Sequence, residues 1–141
     1  MTREQKDLLI NDLCSRLPHG VKCKILETNE VKILGAIQYD GENTLFDFWE
    51  DDQKIQYGYQ LYLSEFKPCL LPFSSMTEEQ KKELNDITNL DIEIAISHIK
   101  NDTPNYVTSL NRLAWLLKNH FDIYDLIPMG LAIDATGLNI Y

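Results

Sequence analysis

The spacing of apolar residues changes near the middle of the chain. Between Val21 and Leu63 apolar and polar residues mostly alternate, and beyond Gln80 apolar residues recur every three or four positions. The stretch from Phe66 to Gln80 separates the two regimes. It reads as a last, edge-type strand that gives way to a helix N-cap, with Pro68 and Pro72 as punctuation. Ahead of the alternating region, Thr2 to Leu17 has helical spacing. Leu9, Leu13 and Leu17 form its apolar stripe, with Ile10 and Cys14 beside it, and Lys6, Asp7, Asn11 and Asp12 point elsewhere. Thr2 with Gln5 fits a capping box, and Pro18 and Gly20 end the helix.

The alternating region predicts short strands. Val21, Cys23 and Ile25 face inward while Lys22 and Lys24 face out, and Asn29-Glu30 makes a tight turn. Val31, Ile33 and Ile37 continue the inward set, and Gly35 marks a bulge or bend. Asp40-Gly41 is a hairpin signal, followed by the aromatic strand Thr44 to Trp49. Ile55, Tyr57, Tyr59, Leu61 and Leu63 give the cleanest period of two. Connections this short leave no room for a parallel crossover.

The second helix opens at Thr77, again with a capping box through Gln80, and Glu78 and Glu79 suit the positive end of its dipole. Residues 91–100 fit a strand through Ile92, Ile94 and Ile96, and a helix through Ile92, Ala95, Ile96 and Ile99. Length and helical neighbours favour the helix. Pro104 stands at N1 of a helix that runs to about His120. The last residues stay apolar, which predicts a docked tail.

The predicted fold is therefore one α+β domain. It comprises an N-terminal helix (1–20), a five-stranded antiparallel meander (21–73), a helical region of two or three helices (77–121) and a docked C-terminal tail (122–141). The meander closes as a strongly bent sheet or an SH3-like barrel.

The 141 residues suffice for one core without staples, and 44% hydrophobic with 25% charged residues is ordinary for a globular chain. A net charge of −9 disfavours direct binding to nucleic-acid backbone or to anionic membrane. No apolar run approaches membrane-spanning length, and no signal-peptide pattern opens the chain, so a cytoplasmic location is expected. Cys14, Cys23 and Cys69 lack CxxC spacing, sit among apolar neighbours, and read as buried free thiols.

Three segments, Arg3–Ile25, Lys67–Leu84 and Trp115–Gly137, together about 64 of the 141 residues, carry a resemblance. Their LPHGVK, KPCLLPFSSMTEEQ and WLLKNHFDIYDLIPMGLAI elements resemble a family of small uncharacterised proteins of gut anaerobic bacteria and of their phages and mobile elements. The resemblance implies an accessory role directed at a host or defence protein, and it supplies no catalytic residue. Where family members often carry arginines, this chain has Leu71 and Tyr124.

The sequence contains no GxSxG, P-loop, GxGxxG, HExxH or paired CxxC motif, so an enzyme is the less favoured reading. No cofactor and no metal site is expected. His120 with Asp122 and Asp125 is the best acid/base grouping, but its spacing does not aim helical ligands together. His120 more simply meets a helix C-terminus, His19 occupies a turn, and His98 a core or boundary position. The feature that points to binding is the acidic run Asp40, Glu42, Asp47, Glu50, Asp51 and Asp52, with no Lys or Arg between Lys32 and Lys54. If Phe46 and Phe48 face the core, Asp47 and Trp49 share the other face, which would set an exposed tryptophan among carboxylates. The plainer reading is a solvated hairpin that protects a sheet edge; the same composition also suits a protein-binding patch, or carboxylates that mimic a phosphate track in a basic cleft. The expected function is a non-enzymatic interaction module with a protein partner. The alternative is a small-ligand, nucleotide-type sequestering protein.

Overall fold

A computed structural model of the chain describes residues 1–39, 41, 43–49, 55–87 and 104–141, with the backbone alone at 55–59 and 104–110. Helix α1 spans Arg3–Arg16. Its capping box is in place: the Thr2 hydroxyl accepts the Gln5 N–H at 3.2 Å, and the Gln5 side chain accepts the Thr2 N–H at 2.9 Å. A 3₁₀ turn, Leu17–His19, follows and closes on Gly20 in the left-handed region (φ 67°), where a side chain would be strained. The buried residues of α1 are Leu9, Asp12, Leu13 and Arg16, the i, i+3, i+4, i+7 set of a single face. The expectation that Asp12 points away from the core is therefore corrected.

Among the described residues six strands form one mixed, open sheet: β1 Lys22–Ile25, β2 Val31–Tyr39, β3 Thr44–Trp49, β4 Ile55–Leu61, β5 Phe66–Leu70 and β6 Ile133–Asp134, in the order β4-β3-β2-β1-β5-β6. The first five pair antiparallel, as short connections require. Two expectations are corrected here. Strand β5 is not an edge, because β6 lies against its outer side. A parallel pair also forms, Cys69 with Ile133 and Leu70 with Asp134. Its crossover is the chain carrying α2 (Glu78–Asp86) and α3 (Pro104–Lys118), not one of the short turns between consecutive strands.

The sheet is not closed into a barrel, so the SH3-like closure is also corrected. It is nonetheless strongly curled. Phe66 of β5 meets Phe46 and Phe48 of β3 edge to face, with centroids 5.0 and 4.9 Å apart. In a flat sheet those strands, three positions apart, would be roughly 14 Å from each other. Four residues, Tyr62 to Glu65, carry the chain from β4 to β5, which brings the two strands near each other at that corner. Among the described residues no ladder joins them; the Glu65 carboxylate instead folds back on the Tyr62 N–H at 2.6 Å.

The glycine at position 35 marks the bulge. Ladder register shifts between Leu34 and Ala36, so Leu34 (opposite Phe48) and Ile37 (opposite Phe46) share the core face although three residues apart. Ile33 pairs with Trp49 on the other face and Val31 is exposed, so the expected inward phase holds for Ile37 and is reversed for Val31 and Ile33. The phase of β1 is as expected, with Cys23 and Ile25 buried.

Thr77 caps α2 through the same reciprocal bonds with Gln80. The tail is docked: Leu126, Leu131, Ala132 and Ala135 are buried, and the Ala135 N–H donates to the Leu70 carbonyl at 2.8 Å. The ambiguous stretch 91–100 and His98 lie outside the described residues.

Candidate functional site

The acidic strand comes first. Phe46 and Phe48 are fully buried, which places Asp47 and Trp49 on the opposite face as alternation demands. That face is not free at these two positions. Asp47 is buried, and its carboxylate accepts the Gln38 side-chain amide from the neighbouring strand at 2.5 Å. Trp49 is half-buried, its indole lies over the backbone of Gly35, and its ring nitrogen is inside without a hydrogen-bond partner. The expected exposed tryptophan is thus a half-buried one, held because the glycine leaves the space it fills. Asp40, Glu42, Glu50, Asp51 and Asp52 lie outside the described residues. In sequence they flank β3, whose six residues span roughly 20 Å.

A second constellation was not legible as a site. Asp12 and Arg16, one helical turn apart on α1, form an ion pair with no solvent exposure, Nε to Oδ2 at 2.7 Å. The Arg16 Nη2 also donates to the Phe121 carbonyl at 2.7 Å, tying α1 to the turn after α3. Burial drives the Asp12 carboxyl above its ordinary range, outweighing the hydrogen bond and charge of Arg16. One oxygen of Asp12, Nη1 of Arg16 and Nδ1 of His120 are buried without a partner.

Next to this pair, His120 is buried in the left-handed region (φ 61°) and stacks on Tyr141, with ring centroids 3.9 Å apart. Burial holds the imidazole down at about 4 against an ordinary 6.5, and the nearby charges of Arg16, His19 and Lys22 push the same way. The Tyr141 hydroxyl accepts the Lys22 N–H at 2.9 Å and donates to the Cys69 carbonyl at 2.8 Å. Lys22 and Cys69 face each other one step beyond the last β1–β5 pair, Cys23 with Pro68, so the phenol stands where the next ladder bond would form. Lys22 also donates its ammonium to the Ile140 carbonyl and sits 5.7 Å from the Tyr141 ring centre.

The sequence grouping of His120, Asp122 and Asp125 does not converge. Both carboxylate oxygens of buried Asp122 are taken by the Leu126 and Ile127 N–H groups, at 2.9 and 2.8 Å, and Asp125 is exposed. No cluster of three potential metal ligands occurs among the described residues. Of the three thiols, Cys23 and Cys69 are buried and burial pushes both upward, whereas Cys14 is exposed, correcting the expectation for it. Tyr62 is exposed, and the side chains of Tyr57 and Tyr59 lie outside the description.

The one sequence signal for the buried pair was present: Asp12 and Arg16 stand three and seven residues after Leu9, on its face, and four from each other. Nothing local marks Tyr141, whose partners are 119 and 72 residues away. No helix among the described residues is long and apolar enough to cross a membrane. The chain matches no protein-family model, no curated protein and no solved structure.

Proposed function

We propose that this protein is a non-enzymatic interaction module, an accessory of a phage or mobile element, that binds a host or defence protein through carboxylates flanking β3. The observation that carries the reading is charge: a net −9, with six acids and no Lys or Arg between Lys32 and Lys54. Within it, Asp47 and Trp49 support the strand, and the contacts fall to Asp40, Glu42, Glu50, Asp51 and Asp52. Acids on helix α2 add to the same imbalance, since Glu79, Glu83 and Asp86 form no ion pair among the described residues. A partner of basic surface is the complement, met faster at low salt than at high salt.

The test replaces Asp40, Glu42, Glu50, Asp51 and Asp52 by their amides and measures capture of partners from the natural host. Wild type is expected to retain a partner in a salt-dependent manner, and the amide variant, melting at the same temperature, is expected to lose it. Undiminished capture by the amide variant would remove the acidic face from the function. A rise in melting temperature with free nucleotides would replace this reading by ligand sequestration, because binding to the native state stabilises it by mass action.

A further inference from the structure

We propose that residues 136–141 form a strap that is released when His120 takes up a proton, and that release opens the β1–β5 seam at Lys22 and Cys69. The strap is anchored near its end. Thr136 to Asn139 are all exposed, and the chain turns there through left-handed Gly137 (φ 78°) and Asn139 (φ 50°). Its hold on the sheet consists of the Tyr141 hydroxyl bridging Lys22 and Cys69, the Ile140 carbonyl on Lys22, and the Tyr141 ring on His120. Losing the ring contact removes one of these three holds, and where the segment then lifts, the seam beneath it gains a free N–H and a free carbonyl.

The groups around His120 make it the trigger. Arg16 faces it from α1, His19 from the 3₁₀ turn and Lys22 from β1, and each opposes a positive imidazole. Neither nearby carboxylate bonds His120: Asp122 is taken by two backbone N–H groups, and Asp12 has one oxygen on Arg16 and the other buried without a partner. Nδ1 of His120 is buried with no acceptor to receive a proton's charge. An imidazolium would gain some attraction to the Tyr141 ring, but Lys22 already lies over that ring.

With the strap closed, burial and the neighbouring charges hold His120 at about 4; lifting the Tyr141 ring relieves part of that burial and raises the imidazole towards its ordinary range, while Arg16, His19 and Lys22 stay in place. Above 6.5 both forms are neutral and closure is at full strength. As pH falls from 6.5 towards 4, the open form binds the proton first, so the open-to-closed ratio rises, with roughly 300-fold as the ceiling that a full return to 6.5 would set.

Amide hydrogen exchange on the full chain reads this directly. The Lys22 N–H, bonded to Tyr141, reports the strap, and the Leu34 N–H, bonded to the Val21 carbonyl, reports the sheet. Protection at Lys22 relative to Leu34 is expected to fall at least about 5-fold between pH 7 and pH 4, the change that a rise of one unit on opening produces. His120→Asn, which tolerates the left-handed backbone and does not titrate, is expected to flatten that dependence. Should this variant fail to fold, Tyr141→Phe serves: without the hydroxyl, Lys22 loses protection at every pH while Leu34 keeps it, and the imidazole titrates nearer 6.5. Joint loss of protection at Lys22 and Leu34, or an acid response that persists in His120→Asn, or an unmoved imidazole in Tyr141→Phe, would overturn the strap.

Discussion

The indole of Trp49 occupies the space in which a side chain at Gly35 would stand. The two residues lie on adjacent strands at the β2 bulge, and the backbone of Gly35 is not in the left-handed region. Space, and not torsion, is what demands glycine there. Gly35→Ala is expected to push the indole aside and cost about 1–3 kcal/mol, the usual range for overpacking. Urea unfolding measures the loss, and a red shift of tryptophan emission reports the displaced ring. In a Trp49→Val background the same alanine should cost much less, a coupling that a double-mutant cycle isolates.

The Asp12–Arg16 pair is expected to behave as a buried ion pair does. Arg16→Met leaves the Asp12 carboxylate and the Phe121 carbonyl unpaired inside the protein, and a loss of about 3–5 kcal/mol follows. Asp12→Leu combined with Arg16→Met removes both charges and should recover most of that loss. Chemical denaturation of the two variants compares them; equal destabilisation would show that the ion pair's burial is not what makes the single change costly.

Thiol accessibility gives a third check. Cys14 lies on the exposed side of α1, while Cys23 and Cys69 are buried in β1 and β5 with their thiols pushed towards the protonated form. A neutral-pH thiol reagent should modify one of the three cysteines in the native protein and all three in urea, as mass spectrometry counts them. Rapid native modification of Cys23 or Cys69 would mean that the β1–β5 seam opens without acid.

The elements themselves were readable from neighbouring residues. Both capping boxes, the stop at Pro18 and Gly20, the bulge at Gly35, the phase of β1 and the proline at N1 of α3 each rest on contacts within a few positions, where local chemistry leaves few choices. Sheet order, curl and burial of polar groups rest on partners far apart in the chain. β5 sits beside β1 because Phe66 reaches Phe46 and Phe48 across a coiled sheet, and β6 returns to β5 from beyond α2 and α3. Asp47 turns from a surface acid into a buried acceptor because Gln38 lies across the hairpin, and Asp12 and Arg16 go inside because Phe121 supplies a carbonyl 105 residues on. Periodicity assigns a residue to a face; whether water or another segment covers that face is set by distant packing, which leaves no mark in the local pattern.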